Sequence, residues 1–259
     1  MQDVSATYRS IMAGPHWFES SLDVGDMGRL VTSSGEAITF GGTSILVGRG
    51  GGDSGYQEDT LISMETVRRL FAGSSPLVGS CVAGEINVRM LNINVQIPRM
   101  AQIVPYIRIC NDTEKSEWIQ KGVFYIDTRS VEMDGGLEVL VIHGYDAMLK
   151  ADVEFPFSYV AQWPATDLEV VEGVADYMGV GIDPRTYDIM TNSYTVQMPT
   201  GYTAREVLGY VAAMYAGCWI FNDTGLLQLI TLNGLPAQTN YLIDHTGDPI
   251  TFGGDRILV

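Results

Sequence analysis

The sequence predicts a β-rich α+β protein, a β-barrel-like domain over residues 1–150 followed by a smaller α+β domain over 151–259. Three observations lead there. Up to residue 143 the apolar residues fall in short alternating runs broken by glycine and aspartate, the period-two pattern of half-buried strands. Two Thr-x-x-Glu sequences, each opening a helical period, are confined to the second half. One hairpin phrase, Ile-Thr-Phe-Gly-Gly, is written at 38–42 and again at 250–254.

The repeat is longer than the pentapeptide. LVTSSGEAITFGGTSILV (30–47) and LIDHTGDPITFGGDRILV (242–259) are identical at ten of eighteen positions. Each copy reads as a hairpin: a polar turn ending in Gly35 or Gly247, a strand through Ile-Thr-Phe, a Gly-Gly bend, then an apolar strand. Either one hairpin type is used twice or an old β-module was duplicated; two copies are too few for a solenoid. The second copy stops inside an apolar strand, which wants a partner or a cap, so the native protein is expected to run on beyond Val259.

Between the copies, GRGGGDSG (48–55) has no apolar period and is expected to be a mobile loop. Over 61–71, Leu61, Met64, Val67 and Phe71 fit a helix while Leu-Ile-Ser-Met fits a strand; a strand and short turn are expected. Ile86, Val88 and Met90 alternate, and Leu91, Ile93 and Val95 resume in the other phase, which places a β-bulge at Met90-Leu91. Further strands are expected over 103–109, 122–129 and 137–143, the last two joined by Asp134-Gly135-Gly136.

In the second half, helices over 166–179 and 203–217 start at the capping boxes of Thr166 and Thr203. Each is expected to end at a glycine suited to a left-handed cap. Ala204, Val207, Leu208, Val211, Ala212 and Tyr215 form the second helix's core stripe. CWIFNDTGLLQLITL, from Cys218, then turns at 222–225, so these helices pack on a small sheet.

Composition excludes several classes. Net charge is −16, from 31 acidic and 15 basic residues, which argues against a sequence reader of DNA or RNA, whose binding needs clustered Lys and Arg. The excess serves solubility, or lines a passage along which DNA slides without sticking. No apolar run reaches membrane-span length, and the N-terminus lacks the layout of a signal peptide, so folding in a cytosol is expected. Cys81, Cys110 and Cys218 lie far apart, without CxxC or a nearby His, and read as buried free thiols; no metal and no cofactor are expected.

No catalytic constellation emerges. Gly52-Asp53-Ser54-Gly55 matches the nucleophile tetrapeptide of trypsin-like proteases, but that serine needs a base and an orienting aspartate. His16, His143 and His245 do not stand in the required settings. The glycine loop lacks the Lys-Ser/Thr ending of a phosphate cradle. Asp244 with Asp248, and Asp176 with Asp183, lack calcium-loop spacing; Glu114 and Glu117 read as a solvated turn, and His143 as a core or interface histidine. Large rings in proline-broken connections are left over: Trp17, Phe155, Phe157 and Trp163 are candidate subunit-interface residues, or they plug barrel ends.

Several phrases carry a family resemblance: Gly79-Ser80-Cys81-Val82-Ala83-Gly84-Glu85-Ile86, Ile97-Pro98-Arg99-Met100-Ala101, Ser116-Glu117-Trp118-Ile119, Lys121-Gly122-Val123-Phe124-Tyr125-Ile126-Asp127-Thr128-Arg129, and Gly144-Tyr145-Asp146-Ala147-Met148-Leu149-Lys150-Ala151. With Thr203-Ala204-Arg205-Glu206-Val207-Leu208 through Ala216-Gly217-Cys218, they make roughly residues 60–232 resemble tail proteins of phages and prophages of Gram-positive bacteria, in the baseplate or tail-tip hub class. The resemblance implies a hub-like fold and a non-enzymatic structural part of the virion tail, assembled in the bacterial cytoplasm. It also implies a homotrimeric ring that joins the tail tube or distal-tail ring to tip or receptor-binding proteins. The N-terminal ITFGG hairpin departs from the family pattern. A tail-associated peptidase or cell-wall hydrolase, and a distal-tail adaptor ring, are the alternatives; a trimer favours the hub and a hexamer the adaptor.

Overall fold

The computed structural model describes residues 4–25, 56–57, 59–75, 77–92 and 100–231, together with short paired segments near both ends. Helix α1 (Ala6–Met12) starts where the Ser5 hydroxyl accepts the Tyr8 amide at 3.0 Å. Glu117 in turn accepts from the Ser5 amide at 2.8 Å and from its hydroxyl at 2.5 Å, so a residue far along the chain fixes this cap.

The strands that follow are β1 (Trp17–Val24), β2 (Gly28–Arg29), β3 (Thr39–Phe40), β4 (Thr43–Ser44), β5 (Leu46–Val47), β6 (Leu61–Val67), β7 (Glu85–Leu91), β8 (Gln102–Cys110), β9 (Ile119–Gln120), β10 (Phe124–Asp134) and β11 (Leu137–Asp146). Seven of them form one antiparallel sheet in the order β1-β8-β10-β11-β7-β6, with β9 beside β8. Alternation builds its core face: Ile86, Val88, Met90, Ile103, Phe124, Ile126, Leu140 and Ile142 are buried together with Leu22 and Leu61.

Among the described residues the expected barrel is not closed. Among these residues, the outer edge of β1 is met by a single isolated bridge, Leu22–Tyr56, from the segment that precedes β6, with amide-to-carbonyl bonds of 2.9 Å each way. Immediately afterwards the Gln57 carbonyl accepts the Thr60 and Leu61 amides, and this turn diverts the chain into β6, which pairs with β7 instead. The strand expected at the start of 61–71 is present, but the bulge expected at Met90-Leu91 is not. β7 keeps register with β11 from Glu85 to Leu91. Its two adjacent apolar residues serve opposite faces, Met90 buried and Leu91 half-buried at the strand's end. The irregularities lie elsewhere in the sheet, between Leu61 and Ser63 of the neighbouring β6 and between Ile126 and Thr128 of β10, beyond β11.

After β11 come a 3-10 turn (Ala147–Ala151), a second (Phe157–Tyr159), β12 (Ala165–Thr166), α2 (Asp167–Met178), α3 (Pro184–Ile189), β13 (Thr195–Val196), α4 (Ala204–Met214), β14 (Gly217–Phe221), β15 (Leu227–Thr231), β16 (Thr251–Phe252) and β17 (Asp255–Arg256). Both capping boxes are complete, and Gly179 caps α2 at φ 69°. α4 stops earlier than expected, at Met214, and Ala216 takes the left-handed turn at φ 48°. Gly217 instead starts β14, where a Cβ would come within 2.7 Å of the Ile230 carbonyl across the hairpin. The apolar faces of α2 and α4 pack on β14 and β15 around Trp219, Phe221, Leu227 and Leu229.

The two ITFGG copies pair alike. Thr39 faces Ser44 and Phe40 faces Thr43; at the equivalent places Thr251 faces Arg256 and Phe252 faces Asp255. The glycine pairs between them, the loop at 48–55 and the apolar end of the second copy lie outside the described residues.

Candidate functional site at the joint between sheet and helices

Most of the phrases that carry the sequence resemblance meet where the sheet joins the helical unit. Asp146, the last residue of β11, is buried and caps the turn that follows, accepting the Met148 amide at 3.0 Å. Its other oxygen accepts the Gly84 amide at 2.7 Å, while its own amide bonds the Gly84 carbonyl at 2.9 Å. Burial pushes this carboxyl up to about 6, although the two amides and the nearby Arg68 and Arg205 pull the other way.

Arg205, at the start of α4, donates to the Cys81 carbonyl at 2.6 Å and the Met148 carbonyl at 2.8 Å, and grips Asp152 with two further bonds. The strand segment before β7 is bonded in turn to the helical unit's hairpin, Trp219 N to the Ser80 carbonyl at 2.9 Å and Gly79 N to the Gly217 carbonyl at 2.8 Å. Here the backbones touch. A Cβ on Gly79 (φ 84°) would lie 2.7 Å from the Gly209 carbonyl of α4, so only glycine allows this approach. The Trp219 ring is fully buried beneath, its Nε1 donating to the Leu208 carbonyl at 2.8 Å.

Two cationic links complete the joint. Lys150 lies 4.0 Å over the Tyr125 ring of β10 and donates to the Met178 carbonyl at the C-terminal end of α2, where the helix dipole favours a positive charge. Arg68 and Lys121, from the sheet side, both bond Asp223 in the turn between β14 and β15. Asp223 is thereby held below the usual carboxylate range, the two cations outweighing its burial.

Two hollows flank the joint. One, of about 390 Å³, is lined by Arg68, Asp183, Arg185, Asn222, Asp223 and Gln228. Its charges satisfy each other: Asp183, the cap of α3, accepts from the Arg185 amide and guanidinium and from Asn222 at 2.6–2.9 Å, and the Arg185 bonds above all hold it down at about 2. The other is an apolar groove of about 690 Å³ along α4, lined by Leu77, Val78, Cys81, Tyr210 and Ala213.

The residues singled out from sequence are scattered. Trp17 opens β1 and is 45% exposed, whereas Phe155 is 2% exposed. Phe157 and Trp163 are half-buried around Phe155, with ring centroids 5.4 and 5.8 Å from it. His16 bonds the Gly14 carbonyl and stacks edge-on against Phe18; His143 stands against Tyr145, 4.0 Å from Glu85. Asp176 is exposed on α2, and Glu117 is exposed as well, where it also serves the α1 cap. Ser54, His245, Asp244 and Asp248 lie outside the described residues. Among the described residues, no group of three or more His, Cys, Asp or Glu side chains could hold a metal ion, and no helix is long and apolar enough to cross a membrane.

All three cysteines are free, Cys110 and Cys218 buried and Cys81 half-buried. Burial pushes the Cys81 thiol up to about 12 and raises that of Cys110. Because the thiolate is the reactive form, a thiol reagent at pH 8 is expected to leave the native chain nearly unlabelled and to titrate all three thiols in denaturant. Rapid labelling of Cys81 in the folded protein would contradict this placement.

No protein-family model matches the chain, and neither does any curated protein. Among solved structures it is similar to the 43 kDa tail protein of prophage MuSo2 from Shewanella oneidensis, at 15% identity and TM-score 0.48 over 92% of this chain. It is also similar to a tail protein from Neisseria meningitidis MC58, at 11% identity and TM-score 0.42 over 90% of the chain. A third is the prophage tail protein gp18 from Listeria monocytogenes EGD-e, at 11% identity and TM-score 0.37 over 87%. The chain spans 62%, 53% and 55% of the lengths of these three proteins, respectively.

Proposed function

We propose that this chain is a non-enzymatic structural component of a phage or prophage tail, of the baseplate or tail-tip hub class, which self-associates as a homotrimer and joins tube or distal-tail proteins to tip parts. The observation that carries the reading is where the resembling phrases go. GSCVAGEI, KGVFYIDTR, GYDAMLKA and TAREVL meet in a joint of backbone bonds, a buried carboxylate held by backbone amides, partly exposed ion pairs and close glycine contacts, and their chemistry is spent on holding two units in one orientation. That is what a load-transmitting subunit requires, whereas a hydrolase would need a nucleophile and a base converging in a cleft. In the ring, the carboxylate excess would face the inside, where DNA passes, and Trp17 would stand at a subunit contact.

Light scattering of the isolated chain over a concentration series is expected to give three times the monomer mass of 28.3 kDa. A hexamer would favour the distal-tail adaptor ring. A monomer both in isolation and in purified tails would remove the hub reading.

A further inference from the structure

The hollow of about 390 Å³ beside the joint is walled on one side by the hairpin turn at 222–225, the end of β14 and β15 opposite the Gly217–Thr231 pair. Every residue that lines it is described, and none adjoins an undescribed one. Its volume lies near the lower end of the range for small-molecule sites, roughly 300–1,000 Å³, and so suits one ring rather than a chain. Ile220 and Gln228 stand opposite each other across the hairpin, and Ile220 with Leu226 gives the hollow an apolar patch.

Its polar groups divide into those that hold and those that offer bonds. Asp183 spends both oxygens on Arg185 and Asn222, at 2.6–2.9 Å, and thereby fixes the Arg185 guanidinium. The Arg185 side chain, 53% exposed, reaches on to Gln228 Oε1 at 3.2 Å, which leaves the Gln228 amide nitrogen as a donor. Thr224 donates its hydroxyl to Asn222 Oδ1 at 2.9 Å, so its oxygen accepts. Asp223 takes a bond from Arg68 on one oxygen and from Lys121 on the other, and each oxygen keeps a second lone pair.

Charge selects among ligands. The two arginines of the wall are matched by two aspartates, so an anion meets Asp223 and a cation meets Arg68 and Arg185, each against repulsion and desolvation. A neutral polyol meets neither cost. Each of its hydroxyls both donates and accepts, as the mixed wall requires, and the C–H face of a pyranose ring matches the apolar patch.

We propose that this hollow binds a neutral pyranose sugar, with Arg185 and the Gln228 amide donating to its hydroxyls, Asp223 and Thr224 accepting from them, and Ile220 and Leu226 under the ring. The proposal stands on the chemistry of the hollow, independently of the tail reading.

The test uses the full chain and ligand-observed saturation-transfer NMR with the methyl glycosides of glucose, galactose, mannose and N-acetylglucosamine, beside methyl phosphate and ethylammonium as charged probes. At least one glycoside is expected to bind with a dissociation constant of about 1 mM, and both charged probes about tenfold more weakly. Gln228→Ala, which leaves the backbone pairing of β15 in place, should weaken that glycoside about fivefold, and Arg185→Met about tenfold. Circular dichroism checks that each variant is folded, and Gln228→Ala decides alone should Arg185→Met not fold. No binding of any of the glycosides, equal binding of a charged probe, or unchanged affinity in the folded variants would each overturn the proposal.

Discussion

Alanine in place of Trp219 is expected to lower the free energy of unfolding by about 3–5 kcal/mol, the usual range for removing a large buried ring. The ring is fully buried where α4, the β14–β15 hairpin and the segment before β7 converge, and its indole bond to the Leu208 carbonyl disappears with it. That carbonyl lies within α4, so the loss reaches the helix as well as the core. Domains of this size are stable by only about 5–15 kcal/mol, so the variant should unfold at a much lower urea concentration, followed by circular dichroism. A change below about 1 kcal/mol would mean that the joint is not packed as described.

The second large effect is a pH dependence with a particular sign. Asp146 has its carboxyl raised to about 6 in the fold, against about 3.9 in an unfolded chain. Between those values the folded state keeps a proton that the unfolded state has released. The contribution of Asp146 is therefore greatest below about pH 4 and falls by up to roughly 3 kcal/mol as the pH rises through 6. Asp183 and Glu19 act oppositely. Asp183 is lowered to about 2, chiefly by Arg185; in Glu19 burial is outweighed by Lys115 and Arg108, which also bring it to about 2. Their stabilisation is complete above about pH 4 and lost as the pH falls toward 2. Denaturation midpoints should therefore decline from pH 4 to pH 7 and also collapse below pH 3. Asp146→Asn, which cannot titrate, should flatten the upper slope and leave the acid limb; an unchanged upper slope would assign it to other groups.

What could be read from the sequence was local. The capping boxes at Thr166 and Thr203 set both major helices because each is satisfied within four residues. The strands in 103–109, 122–129 and 137–143 announce themselves by alternation. α1 is only seven residues long, and its local Ser5 cap is held in place by Glu117, which only the fold brings near. Closure of the barrel was equally illegible, since it turns on whether Tyr56 is followed by more pairing with β1 or by the Gln57 turn. Proline around Phe155 suggested an exposed ring, yet the connection folds back and lays Phe157 and Trp163 against it.

The joint was legible only as phrases. Asp146 before Ala-Met-Leu-Lys-Ala is a fair cap signal, but its second partner, Gly84, is 62 residues away. Arg205 sits in a capping box whose own requirements involve Thr203 and Glu206, so nothing local marks it as the residue that reaches Cys81, Met148 and Asp152.

The central claim, that the chain is built into a tail, is tested most directly by electron microscopy of purified phage particles from a host carrying this sequence, decorated with a gold-labelled antibody against the chain. The account predicts label at the tail tip, below the tube. Intact tails without label, with the chain recovered only outside particles, would contradict it.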